Sequence, residues 1–244
     1  MSEMDEKQYI DYIIDAFEDN GLGDFIDEAK AKKFYDFHKL LTETNKTTNL
    51  TAITKEKDVI LKHFLDCATV CVHLPENCKL LDVGCGAGFP SLPVAILRGD
   101  VSVTSIDSTG KKINFVSETA RKLELCNLDA LCCRAEDFAK DRRESFDVCV
   151  SRAVARLNVL SELCLPFVKV GGAFVAMKSE KGAEEYAEAK CGIEKLGGAL
   201  KQKISPVLNL ESNSVSRELY LITKIKQTPA NYPRNYSQIS KKPL

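Results

Sequence analysis

LLDVGCGAGFPSLP occupies residues 80–93. Its apolar start reads as a strand that ends at Val83, after which Gly84, Gly86 and Gly88 open a loop leading into a helix. Glycine there permits φ > 0 and lets a ligand approach the main chain where a Cβ would clash. The spacing is not that of a dinucleotide fingerprint, because G-x-G-x-x-G needs its third glycine at position 89, where Phe89 stands. Pro90 suits a first helical turn, which needs no N–H. A merely structural glycine turn is the competing explanation.

Short apolar runs continue outward from this segment: KLLDV (79–83), VSVTSI (101–106), LDALCC (128–133), FDVCVS (146–151) and AFVAM (173–177). Residues 90–98, 110–124 and 153–169 lie between them with helical periodicity. Strand–helix alternation of this kind predicts a doubly wound, mostly parallel sheet. The runs ISPVLNL and ELYLITKI, separated by the polar ESNSVSR, predict a closing hairpin at one sheet edge. Upstream, 5–19, 24–42 and 56–73 carry helical spacing, so 1–75 reads as a helical cap on a domain spanning 76–228. Residues 229–244 show no packing pattern and read as a basic tail.

Composition sets limits on function. No stretch reaches the roughly 20 apolar residues needed to span a bilayer, and the acidic start MSEMDEKQYI lacks a signal-peptide pattern. A cytoplasmic protein without membrane attachment is expected. The net charge of -1 hides an asymmetry: residues 1–28 hold ten acids against Lys7 alone, whereas 224–244 hold five bases and no acid. Such a tail suits a local nucleic-acid contact. None of the ten cysteines forms a C-x-x-C pair. Cys132, Cys133 and Cys149 read as buried small hydrophobes in a reducing compartment. His63, Cys67 and Cys71, spaced four apart, could share a helical face and hold zinc, but they have no visible fourth ligand. Plain packing is the expectation, with no metal.

Three strand ends carry the chemistry. Asp107 closes the second strand, 23 residues after Gly84, where a carboxylate can accept from both hydroxyls of a ribose. A helix cap is its alternative role. Ala135 and Glu136 follow the third strand in CCRAEDF and suit an adenine edge, though Glu136 also fits a first-turn helix carboxylate. The fourth strand ends in SRAVARLN (151–158) and lacks both the Asn/Asp-Pro-Pro-aromatic signature of amino-group methylation and the Cys-Pro of cytosine C5 chemistry. An acceptor atom with a free lone pair would need neither a base nor a covalent nucleophile there, only positioning. Arg152 can meet guanine's O6 and N7 face or a phosphate, or form a surface ion pair.

The D-x-G-x-G-x-G loop resembles that of S-adenosylmethionine (AdoMet) dependent methyltransferases. Over most of its length the chain is similar to the bacterial 16S rRNA guanine-N7 methyltransferases, the RsmG or glucose-inhibited division protein B family. The similarity runs through NLTAI (49–53), HFLD (63–66), LLDVGCGAGFPSLPVAI (80–96), SxGKK (108–112), RAEDF (134–138), VSRAVARL (150–157) and the final TPxxYPR…KKPL. It implies an α/β, Rossmann-like class I methyltransferase with a mostly parallel seven-stranded sheet and an N-terminal helical extension. It implies methyl transfer from AdoMet to N7 of a guanine in 16S rRNA, with the small subunit or an assembly intermediate as partner and a monomeric enzyme. Gly84, Phe89, Ala135, Glu136 and Arg152 would contact AdoMet, alongside Gly86, Gly88 and Asp107. Asn49, His63, Arg152 and Lys178 would line the substrate side. Lys111, Lys112, Arg121, Lys178 and the tail are candidate phosphate contacts. Cys67 stands where the family often has Ser. Two alternatives remain at this stage: an AdoMet methyltransferase of another substrate, and a non-catalytic RNA-binding or assembly protein on the same fold.

Overall fold

A computed structural model describes residues 4–152, 155–179 and 182–244. Helices α1 (Glu6–Asp19) and α2 (Glu28–Thr48) open the chain. Then come α3 (Glu56–Val59), a π-helical turn Ile60–Leu65, α4 (Asp66–Ala68) and a 3-10 turn Cys71–His73. The strands and helices that follow are β1 (Lys79–Val83), α5 (Ser91–Leu97), β2 (Ser102–Asp107), α6 (Gly110–Lys122), β3 (Leu128–Cys132), α7 (Ala135–Arg142) and β4 (Phe146–Arg152). After them run α8 (Leu157–Cys164), β5 (Val168–Lys178), α9 (Gly182–Lys195), β6 (Gly198–Ile204), β7 (Val207–Leu210), β8 (Asn213–Ser216), β9 (Glu218–Lys224) and α10 (Tyr236–Lys241). Residues 153 and 154, the start of an expected helix, lie outside the described residues.

Seven strands form the main sheet in the order β3-β2-β1-β4-β5-β9-β6. β1 to β5 run parallel to one another, and β9 runs antiparallel between β5 and β6. The strand order reverses between β1 and β4, the place where open α/β sheets bind ligands beyond their carboxyl ends. That reversal puts Gly84, just after β1, beside Arg152 at the end of β4.

Period-2 alternation assigns side chains to the two faces. Leu80, Val103, Val148, Val150 and Val175 join one buried cluster, and their neighbours Leu81, Cys149, Phe174 and Ala176 join the other. The first cluster also contains Tyr9, Phe17, Phe34, Phe37 and Phe64 from the N-terminal helices. Phe37 lies 5.3 Å from Phe89 and 6.4 Å from Phe115, ring centre to ring centre, so residues 4–75 share a core with the sheet. At roughly 1.5–3 kcal/mol per buried large apolar side chain, this aromatic layer alone ties the extension firmly to the sheet.

Four sequence expectations need correction. The partner of β9 at the sheet edge is GALKQKI (β6) rather than ISPVLNL, and the polar ESNSVSR supplies β8, which pairs with β7 in a separate two-stranded sheet. Polar residues suffice there because β8 keeps one face in solvent. Cys132 is exposed and Cys133 half-buried, since β3 is an edge strand of the sheet. The 56–73 stretch is not one α-helix but changes pitch through the π turn, so the four-residue spacing of His63, Cys67 and Cys71 does not define a single α-helical face.

The fourth correction concerns the tail, which packs against the domain. Tyr232 and Ile239 are buried, and Arg234 forms an ion pair with Glu162, whose side chain is fully buried on α8. Lys224 is also fully buried, donating through Nζ to the carbonyls of Leu165 and Val168. Two of the five bases counted toward a nucleic-acid contact are therefore structural. Their local sequence carries no helical or strand period, which is why only the tertiary contacts reveal them.

Candidate functional site

The start of the glycine loop is held by the main chain of β2, and its far end closes on itself through Gly88 and Phe89 N–H bonds to the Cys85 carbonyl. Gly84 and Cys85 donate N–H bonds to the Ile106 carbonyl at 2.8 and 3.1 Å. Gly86 (φ 57°) donates to Asp107 Oδ2 at 3.1 Å, and a Cβ added at Gly86 would meet no atom within 4 Å, so the loop faces open space. Gly88 (φ 85°) is required for packing instead: a Cβ there would sit 2.3 Å from Leu92 Cδ1. Beneath the loop, Asp82 is fully buried and its Oδ2 accepts the Ser91 N–H at 3.2 Å, tying β1 to the start of α5. Burial pushes its carboxyl up to about 7.

Three cavities meet along the carboxyl edge of the sheet. The first, about 500 Å³, is bounded by Val83, Ile106 and Leu163 as apolar walls, with Asp107, Ala135, Glu136 and Tyr236 around them. Asp107 Oδ1 accepts from Thr109 N at 2.8 Å while Lys112 Nζ stands 4.0 Å from Oδ2. Glu136 lies in the first turn of α7, its side chain only 14% exposed. Apolar walls with two carboxylates beyond the tips of the neighbouring strands β2 and β3 suit a nucleoside, whose ring needs apolar cover and whose hydroxyls and amino group need acceptors.

The second cavity, about 320 Å³, continues from Gly84 and Asp107 past Gly86, Phe89 and Thr51 to His63 and Arg152. The His63 imidazole stacks on the Phe89 ring at 4.3 Å, and the Arg152 guanidinium lies 5.0 Å from the same ring centre. Burial, reinforced by the charge of Arg152, lowers the His63 pKa to about 3. With a neutral ring, Nδ1 accepts from Arg152 Nη2 at 3.1 Å and Nε2–H donates to Thr51 Oγ1 at 3.0 Å.

The third cavity, about 500 Å³, shares His63 and Arg152 with the second and contains Lys62, Arg156, Lys178 and Arg217 against Asp66 and Glu185. Its lining holds five bases against two acids, a basic surface suited to an anionic polymer, although Lys62 and Arg156 also pair with Asp58 and Glu188 at its margin. Asp66 is the buried anchor, 3.1 Å from Arg152 and 3.2 Å from Arg217. Lys178 is buried, donates to the Ala155 carbonyl, and pairs with Glu185 at 2.9 Å.

The sequence-derived residues are thus distributed unevenly. Gly84, Asp107, Ala135 and Glu136 line the first cavity, Gly84, Gly86, Phe89, Asp107 and Arg152 the second, and Arg152 and Lys178 the third. Gly88 packs behind them. Asn49 lines none of the three: it caps α2 in the left-handed conformation (φ 49°), exposed, while Leu50 and Thr51 after it reach the second cavity. Lys111 and Arg121 lie exposed on α6 and line none either, whereas Lys112 borders two. Sequence reading did not single out Arg217, Thr51 or Tyr236, although Thr51 lies in NLTAI and Tyr236 in the tail. Asp66 was visible only as part of HFLD. Among the described residues no group of His, Cys, Asp or Glu is arranged for a metal ion. Cys67 and Cys71 are buried, and burial pushes the Cys71 thiol up to about 12. No described helix is long and apolar enough to cross a membrane.

Comparison with known proteins adds to this geometry. The family model described as rRNA small subunit methyltransferase G matches residues 30–211. Ribosomal RNA small subunit methyltransferase G of Clostridium tetani is 43% identical over 241 residues, covering 97% of this chain and 99% of the relative. The protein of the same name from Lactobacillus delbrueckii subsp. bulgaricus is 45% identical over 222 residues, covering 88% and 92%. Among solved structures, M. jannaschii TYW2 in complex with AdoMet superposes with TM-score 0.54 at 17% identity, over 66% of this chain and 75% of that one. A putative transferase from Pyrococcus horikoshii gives 0.51 at 18%, over 65% and 64%. At these identities the two structures establish a shared fold.

Proposed function

The chain belongs to the rRNA small subunit methyltransferase G family, and from that premise we propose that it transfers a methyl group from AdoMet to N7 of a guanine in 16S rRNA. The observation that carries this reading is the position of Arg152, which borders both the nucleoside-type cavity system and the basic cavity. A residue so placed can register a cofactor on one side against an RNA base on the other.

The first two cavities fit AdoMet. Asp107 offers a carboxylate to the ribose hydroxyls, Glu136 and the main chain at Ala135 face the adenine end, and the open loop at Gly84 and Gly86 receives the methionine portion. Gly88 and Phe89 hold the loop's shape. Lys112 borders both cavities beside Asp107. When bound, AdoMet supplies an electrophilic methyl group, and its transfer converts the sulfonium to a thioether and leaves the guanine N7 cationic.

Nothing needs to remove a proton from N7, which agrees with a site whose buried histidine stays neutral and hydrogen-bonded. Phe89 and His63 stack into a flat apolar wall, and Arg152 above Phe89 presents donors that can hold the O6 edge of a guanine. Catalysis by this wall is positioning, which can supply several kcal/mol of a bimolecular barrier. Lys62, Arg156 and Arg217 offer charge to the RNA backbone, with Lys178 deeper in the same cavity. The small ribosomal subunit or an assembly intermediate is the partner this surface serves.

The test is transfer of labelled methyl from AdoMet to small-subunit particles and RNA lacking the modification, followed by N7-specific chain cleavage. One cleavage site in the 16S rRNA is expected. Label in free nucleosides, in a protein, or in no acceptor at all would overturn the proposal.

A further inference from the structure

The C-terminal segment was expected to reach for RNA, yet its contacts point elsewhere. Tyr236 borders the first cavity, and its main-chain N–H donates to Glu136 Oε1 at 3.2 Å, a link between residues 100 positions apart. The same oxygen lies 3.9 Å from Arg134 Nη1. The segment cannot drift from this position easily. Glu162 Oε1 accepts from the Arg234 main-chain N at 2.8 Å and from Arg234 Nε at 2.9 Å, and Arg234 Nη2 also donates to the Lys242 carbonyl at 3.1 Å. Tyr232 and Ile239 are buried on either side, and Arg143 donates to the carbonyls of Thr228 and Tyr232.

We infer that the C-terminal segment is part of the cofactor site: Tyr236 forms the outer wall of the cavity for the adenosine moiety and holds Glu136 in place to accept from it. The inference rests on the AdoMet reading of that cavity. The physical basis is simple. An adenine needs apolar cover on its ring faces, and β1, β2 and α8 cover one side through Val83, Ile106 and Leu163. Tyr236 is the large aromatic residue bordering the cavity, and an aromatic face covers any base without needing a particular hydrogen bond. The Arg234–Glu162 pair fixes where that face stands, because a charged pair with one member fully buried has few alternative geometries. Arg234 thereby serves the site as a positioning residue and is not free for phosphate.

Calorimetric binding of S-adenosylhomocysteine to the full-length protein tests this. Tyr236 is 41% exposed, so Tyr236→Ala should fold with an unchanged melting temperature. The expected result is a Kd raised tenfold or more in Tyr236→Ala and within threefold of the parent in Tyr236→Phe, with the KM for RNA unaltered in both. A parent protein that binds while Tyr236→Ala binds equally well overturns this inference alone. A raised RNA KM with an unchanged Kd does the same and returns the tail to the RNA. A parent that fails to bind S-adenosylhomocysteine overturns the AdoMet reading and this inference together.

Discussion

Arg152 and Asp66, 86 residues apart in sequence, meet at 3.1 Å in the partition between the second and third cavities, with their side chains 15% and 5% exposed. The pair fixes the end of β4 against the helical extension and aims the guanidinium at the Phe89 ring. Since Asp66 also holds Arg217 at 3.2 Å, one buried carboxylate orients two cations.

Replacing Arg152 with Ala should therefore cost function far more than fold. Asp66 keeps Arg217, so the loss of stability should be about 2 kcal/mol, below the usual range for breaking a buried pair. Methyl transfer should fall by roughly 100-fold or more, since positioning is lost. Single-turnover assays and urea unfolding would check both numbers. Arg152→Lys should recover little, because an ammonium cannot reproduce the fork that reaches Asp66 and His63 together. Near-parental turnover in Arg152→Ala would remove Arg152 from the site.

His63 makes stability sensitive to acid. Its folded pKa is held near 3 by burial and by Arg152, below the ordinary 6.5 of an unfolded histidine. The depressed value means that its contribution is full above pH 6.5 and is lost as the pH falls toward 3. The slope is about 1.4 kcal/mol per pH unit within that window. Urea melts at pH 7 and pH 5 should show the parent losing about 2 kcal/mol more than His63→Gln. Parallel losses in the two proteins would mean the imidazole is not held neutral.

Asp107→Ala should act on the cofactor. It removes the acceptor for Gly86 N and Thr109 N together with the proposed ribose contact. Binding of S-adenosylhomocysteine should weaken roughly 10- to 100-fold, the range for one or two charge-assisted hydrogen bonds. Calorimetry gives the answer directly, and an unchanged Kd would exclude Asp107 from the ribose role.

Arg156 tests the RNA side. It is 57% exposed and shares its charge with Glu188, a pair that a phosphate can displace at little cost. In Arg156→Ala the KM for RNA should rise while cofactor affinity holds. The salt dependence of RNA binding should flatten by roughly 0.7 in its logarithmic slope, one single-stranded phosphate contact. An unchanged slope would place Arg156 outside the RNA contact.

Lys224 should matter to the fold alone. It is fully buried, bonded to two carbonyls and 3.5 Å from Glu144. Lys224→Met strands those acceptors and should lose about 2–3 kcal/mol in urea melts, with cofactor affinity intact. Equal stability would show the interior tolerates the unpaired groups.

By itself the sequence determined the alternating strands and helices, the glycine loop at Gly84, Gly86 and Gly88, and the acids Asp107 and Glu136 at strand tips. Each of these is a local property: a period, a φ requirement or a fixed distance along the chain from one strand end to the next. Tertiary structure alone decided which charges are free. Lys224 and Arg234 read as a basic tail but neutralise interior acceptors, and Arg217, in a polar stretch without a period, reaches Asp66. Asn49 read as a site residue and became a helix cap, while Thr51 two residues later met His63. Ion pairing and burial depend on which segments face one another across a sheet, and no pattern within a single segment encodes that.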